Sequence, residues 1–235
     1  VPAHDERDFE FAQKYDLPIK HTVARFWDTG DLQEGIEHKI RKTVDPIIRD
    51  KNGNFYLIKD SKGKVHFAGG GVEEGETDRE ALIREVLEET GFKNFDISDP
   101  INLYISVTGY HAVKNRNQSS WGTAYEVVLK DLEQVKSEID EGLHELVKVT
   151  KEDVLKTITW DHHRWMFEAY LAKDKTFTDE GVLIYSGQFN GMTSGEARKA
   201  ITEFVGGKLV TKYKMRDAIF ARQRYWGEPI PLIHQ

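Results

Sequence analysis

Glu85, Glu88 and Glu89 lie three and four residues apart, the spacing that stacks side chains on one face of a helix. Neighbours at that spacing have Cβ atoms roughly 5–6 Å apart, so the carboxylates repel one another unless a cation lies among them. Oxygen-only donors of this kind suit Mg²⁺ or Mn²⁺, and Mg²⁺ keeps positions open for water and substrate phosphates. The pattern therefore points to metal-assisted phosphate chemistry. Just upstream, Gly69, Gly70 and Gly71 let the backbone turn tightly and bring carbonyl oxygens, that of Gly70 above all, toward the same metal.

The elements that must position these groups can be read in the same stretch. Thr77 or Asp78 caps the helix, and Glu80, three residues after Thr77, completes a capping box. Ala81, Leu82, Val86 and, less regularly, Ile83 supply an apolar side, leaving the glutamates on the other. Arg84 is expected to pair with Glu76 and tie loop to helix, a structural task. Gly91 is placed to end the helix in the left-handed conformation.

Gly70, Glu76, Arg84, Glu85, Val86, Glu88, Glu89, Gly91 and Phe92 fill every fixed position of G-x5-E-x7-R-E-U-x-E-E-x-G-U, where U is a bulky apolar residue. The stretch resembles the Nudix box. That resemblance implies an α/β fold, the Nudix-type α/β/α sandwich with a mixed sheet. It also implies a Mg²⁺-dependent (or Mn²⁺-dependent) hydrolase cleaving a diphosphate linkage in a nucleoside diphosphate derivative. Glu85 and Glu89 would hold the metal, with Glu88 assisting. Members of the family draw the general base from the box or from a later loop, so Glu85, Glu141 and Glu145 are all candidates.

Length and composition bound the rest. The chain has 235 residues, 39% of them hydrophobic, room for one large domain or two small ones. No run of eighteen apolar residues suggests a membrane span, and the opening VPAHDERDFEF lacks the pattern of a signal peptide. There are no cysteines, which removes disulfides and thiolate metal sites. A cytoplasmic location is expected. A net charge of −7 argues against broad binding to nucleic acid. Gly206 to Tyr225 is a local exception, with Lys208, Lys212, Lys214, Arg216, Arg222 and Arg224 among aromatics: an amphipathic surface helix or an RNA contact.

Residues 5–15 read as a short helix stopped by Leu17-Pro18, and residues 20–38 as mixed, with turn signals at Asp28-Thr29-Gly30. KTVDPIIRD and NFYLIKD flank Asn52-Gly53, a hairpin signal, and VHFAGGGV is a short strand feeding the glycine loop. NLYISVTGYHAV and WGTAYEVVLK are two more strands, joined by a polar and mobile loop, KNRNQSS. ELVKVT is a strand, KEDVLKTI a helix capped by Thr150, and WDHHRWMFEAYLAK a more apolar helix whose start buries one of His162 and His163. Trp121 and Tyr104 are either strand core or stacking partners for a base. The Nudix-like domain is placed at residues 39–175.

The flanks, residues 1–38 and 176–235, have another character. VPAHDERDFEFAQKYDLPI and GVLIYSGQFNGMTSGEARKAITEF resemble the entry and exit of the leucyl-tRNA synthetase editing domain, and RQRYWGEPIP resembles the return to a class I synthetase core. By that resemblance, Asp8 matches the acid that holds the α-amino group of a mischarged amino acid, and Asp5 and His4 line the same pocket. The bare residues also allow an acidic helix N-terminus at Asp5 and Asp8. Neither HIGH nor KMSKS occurs, nor does the threonine-rich wall of the editing pocket. Charging and complete editing, with tRNA as partner, are expected of a longer parent protein.

Overall fold

The computed structural model describes residues 4–19, 21–137, 142–172 and 176–211. Glu141, RQRYWGEPIP and the basic residues from Lys212 onward lie outside them. Two compact units divide the chain at Arg198/Lys199, and the sheet described next belongs to the first.

Helix α1 (Glu6–Lys14) starts at Asp5, whose Oδ1 accepts from the backbone N–H groups of Arg7 and Asp8 at 3.0 and 3.1 Å. Strands β1 (Val23–Asp28), β2 (His38–Arg49), β3 (Phe55–Asp60), β4 (Val65–His66) and β5 (Gly70–Gly71) follow. Then come α2 (Asp78–Thr90), β6 (Phe95–His111), β7 (Arg116–Leu129), β8 (His144–Val149), α3 (Val154–Thr157), α4 (Asp161–Leu171), β9 (Val182–Leu183) and α5 (Ser194–Phe204). The sheet runs β4-β3-β2-β7-β6-β1-β9, with β5 beside β2 and β8 beside β3. β2/β7 and β1/β6 are parallel and the other pairs antiparallel, so the sheet is mixed.

Period-two alternation divides the core between two faces. Ile47, Phe55, Leu57 and Ala124 pack against Val154 and Ile158 of the α3 segment and Met166, Phe167 and Tyr170 of α4. Val44, Ile48, Tyr56, Ile58, Tyr125 and Val127 pack against Ala81, Leu82 and Val86 of α2. This is the α/β/α sandwich with a mixed sheet expected from the sequence. Ile83 is exposed, so the apolar stripe of α2 is narrower than the sequence suggests.

Three local expectations are corrected. Residues 116–120 are not a loop but the first part of β7; the turn closes at Asn115, at φ +43°. Their polar side chains find partners: Asn117 bonds the backbone of Gln33 in the loop before β2, and the hydroxyls of Ser119 and of Thr108 on β6 lie 2.7 Å apart. The helix expected from Lys151 is a single turn entered through Asp153, not Thr150, whose hydroxyl bonds the Asp153 carboxylate at 3.0 Å. Strand β1, inside the stretch read as mixed, pairs with a partner some 80 residues later. Pro100, which cannot donate to the ladder, coincides with the register shifts of β6.

Candidate functional site

α2 is built as its sequence requires. Thr77 Oγ1 accepts from Glu80 N while Glu80 Oε2 accepts from Thr77 N at 2.8 Å, completing the capping box. Gly91 closes the helix at φ +74°, where a methyl would also lie 2.5 Å from the carbonyl of Val135.

The glycine loop crosses directly over the helix. A methyl on Gly70 would lie 2.2 Å from Glu85 Oε1, so only glycine lets the loop approach that carboxylate. Arg84 ties the two together. Its Nε and Nη2 donate to the two oxygens of Glu76, both at 3.0 Å, Nη2 also reaches Gly71 O at 3.0 Å, and Nη1 reaches Glu85 at 2.7 Å and Glu88 at 3.2 Å. The Arg84 bond holds the Glu76 carboxyl below its usual range. Burial pushes Glu85 up, and Arg84 opposes it.

The box glutamates are thus apportioned. Glu85 is tucked under Gly70, Glu88 is half exposed and turned to Arg84, and Glu89 Oε2 accepts from Gly69 N at 2.7 Å. Among the described residues, no three His, Asp or Glu side chains form a ready cation cage. The donors still suit a hard divalent cation: they are all oxygens, the loop leaves no room for a Cβ above Glu85, and an orphaned carboxylate oxygen lies nearby.

That oxygen belongs to Asp45, which sequence reasoning passed over. Parity puts Asp45 on the α4 face of β2, where its side chain is buried and Oδ2 has no hydrogen-bond partner. A methyl on Gly122 would lie 2.3 Å from Oδ2. Burial, and then the nearby Glu85, push Asp45 up to about 7. His163 faces it: His163 Nδ1 accepts from Phe67 N at 2.9 Å, so the neutral ring carries its proton on Nε2, 3.8 Å from Asp45 Oδ1. Burial holds His163 well below its usual range, which fits a neutral ring. The one signal in the sequence was an acid inside the apolar run TVDPII. Arg41 was also missed; its guanidinium lies over Gly71, where a methyl would be 1.8 Å from Cζ.

Asp45, Gly69 and Gly70 line a cleft of about 1010 Å³, as do Trp27, His66, Trp160 and His162. The remaining predicted residues lie elsewhere. Glu145, on β8, is exposed and bonded to Lys59 Nζ at 2.8 Å, and it does not line the cleft. Asp8 is exposed on α1, and Asp5 is the cap of that helix. His4 acts as a staple: Nε2 accepts from Thr22 N and Val23 N at 3.0 and 2.9 Å, and Nδ1 donates to Phe177 O at 2.8 Å. Trp121 is buried beside Ala24 and Ile184, with Tyr104 packed against them, which makes both core.

The sandwich, the glycine loop and the arginine-tied helix define the class of protein. The chain belongs to the Nudix family: the profile of the NUDIX domain matches residues 39–170, more than half of its length. Nudix hydrolases generally use divalent metals. The profile of the leucyl-tRNA synthetase editing domain matches residues 1–47. Among curated proteins, the chain is 47% identical over 64 residues to the leucine–tRNA ligase of Desulfatibacillum aliphaticivorans, and 50% identical over 62 residues to that of Treponema pallidum. These matches cover 26% and 24% of the chain and 7% of either ligase, so the chain spans under a tenth of those relatives. Similar solved structures include the MutT protein of Bacillus halodurans, at 20% identity and TM-score 0.45, covering 57% of this chain and 84% of that one. Another is the E. coli dihydroneopterin triphosphate pyrophosphohydrolase, at 15% identity and TM-score 0.47, covering 58% and 98%.

Proposed function

We propose that this chain hydrolyses a diphosphate linkage in a nucleoside diphosphate derivative, with Mg²⁺ (or Mn²⁺) as cofactor, as part of a cytoplasmic leucyl-tRNA synthetase. The observation that carries this reading is the close approach of Gly70, which lines the cleft, to Glu85, locked by Arg84. Glu85 and Glu89, assisted by Glu88 and the Gly70 carbonyl, would hold the cation, which when bound neutralises phosphate charge and lowers the pKa of water. Arg41, lying over the loop, supplies a fixed positive charge for phosphate oxygens. The base that takes the proton from water falls to Glu85, whose side chain is largely buried, with burial raising its carboxyl and Arg84 opposing that rise. Glu145, bonded to Lys59, is the second candidate, and Glu145→Gln separates them by its effect on turnover.

The test is phosphate release from a panel of nucleoside diphosphate derivatives with Mg²⁺, comparing the chain with its Glu89→Gln form. Release that is absent across the panel, or unchanged by the substitution, refutes the hydrolase.

A second reading rests on the flanks. β1 lies within the span matching the editing domain and joins the same sheet as the box domain. In that reading the insert shapes an aminoacyl-ester-hydrolysing domain whose pocket includes Asp8, Asp5 and His4, with tRNA as the partner of the parent. Deacylation of mischarged leucine tRNA by the full-length parent, intact, with Glu89→Gln, and without residues 39–175, tests it. Equal rates in all three remove the insert from editing.

A further inference from the structure

Trp27, Asp28, Thr29 and Asp31 line the cleft, yet all four lie before residue 39, where the NUDIX match begins. They are held there firmly. β1 runs parallel to β6 with Trp27 in register with Val107 and Asp28 with Thr108. Thr29 N and Oγ1 donate to Thr108 O at 2.9 and 3.1 Å, and Tyr110 N donates to Asp31 Oδ1 at 2.9 Å. The fit is close enough that a methyl on Gly109 would lie 2.1 Å from Thr29 Oγ1. The Trp27 ring packs 5.4 Å from Trp165 and 6.1 Å from His162, centroid to centroid, with the Arg25 guanidinium 5.1 Å away.

The glycine loop and a set of flat aromatic and imidazole rings line the same cleft, Trp160 stacked on His66 at 4.1 Å and 7° among them. Asp28, next to Trp27 in β1, and Asp31 also line the cleft, and their carboxylates repel phosphate. A ligand that carries a diphosphate at the loop therefore presents its base to the rings.

We propose that the flank preceding the Nudix domain completes its binding site, with Trp27 stacking on the nucleobase of a nucleoside diphosphate whose phosphates lie at the Gly70 loop. The inference rests on the hydrolase reading for the placement of the phosphates. It makes a specificity residue of a side chain that the box domain does not contain.

Binding of ADP, GDP, CDP, UDP and inorganic pyrophosphate to the whole chain, with Mg²⁺, measured by calorimetry, tests it. Trp27→Ala should weaken the tightest nucleoside diphosphate at least about fivefold, the low end of base–aromatic stacking, and leave pyrophosphate unchanged. Trp27→Phe should restore most of that loss. Equal weakening of pyrophosphate, no weakening of the nucleotide, failure of Trp27→Phe to restore binding, or binding of pyrophosphate alone overturns the proposal. The nucleotide-selective loss without phosphate release from any derivative would refute hydrolysis while leaving the stacking role standing.

Discussion

Replacing Arg84 by Gln tests whether the box arginine is the tie between loop and helix. The side chains of Arg84, Glu76 and Glu85 are 25, 16 and 12% exposed, so this network is largely out of water. The bond to Glu88, whose side chain is 51% exposed, adds little. Glutamine removes the charge and the fork, leaving Glu76 and Glu85 close together with no counter-charge. Breaking a fully buried pair from one side costs roughly 3–5 kcal/mol, and partial exposure puts this case near the bottom of that range, about 3 kcal/mol. For a domain of this size that lowers Tm by about 6–12 °C. The assay is thermal unfolding followed by circular dichroism in a chelator, and again with Mg²⁺, which should recover part of the loss by neutralising the same carboxylates. The partner substitution Glu76→Gln closes a double-mutant cycle, with an expected coupling of at least about 1 kcal/mol. A drop below about 2 °C, the value of an exposed pair, or zero coupling to Glu76, would refute the reasoning.

Gly70→Ala should leave α2 and the far-ultraviolet spectrum intact but lower phosphate release about 100-fold, because its methyl must displace the Glu85 carboxylate by more than an ångström; full activity would contradict the close approach. Stability should also fall in mild acid. Burial lowers His162 to about 4 and His163 well below its usual range, while the unfolded chain takes up these protons near 6.5. The unfolded state therefore binds more protons below 6.5, and the stability present above that pH is lost as pH falls toward the folded values. At pH 5 His162 alone accounts for about 2 kcal/mol. Because Asp45, raised to about 7, gains stability over the same range, urea midpoints at pH 7.5 and 5 are compared in an Asp45→Asn background, where an unchanged midpoint would show that these rings titrate normally in the fold.

The box and its helix were legible because their chemistry is local. Thr77, Glu80, Arg84 and Gly91 act within one helix and its entry loop, so spacing alone assigns their tasks. What escaped notice depends on contacts distant in the chain. β1 owes its existence to β6, and a six-residue run with alternating exposure carries no mark of a parallel partner about 80 residues away. Residues 116–120 look like a loop because they are polar, and only their pairing with β2 on one side and β6 on the other makes them a strand. Asp45 needed the parity of β2 and the position of His163 before it became more than an acid in an apolar run.

The junction between the two kinds of sequence also decides how the insert can be studied. The editing-domain match ends at residue 47 and the NUDIX match begins at residue 39, so both claim most of β2. That strand forms an unbroken parallel ladder with β7, from His38 opposite Asn117 to Arg49 opposite Val128. β1 is hydrogen-bonded to β6 on one side and β9 on the other, and His4 staples the start of β1 to Phe177. Excising residues 39–175 therefore removes the partner of β1 as well as the box glutamates, leaving an unpaired strand edge in the flank. Loss of editing after excision would follow from the broken sheet alone. Glu89→Gln keeps every strand, so editing that survives this substitution but not the excision assigns the insert an architectural part, and editing that falls with Glu89→Gln makes its chemistry part of the reaction.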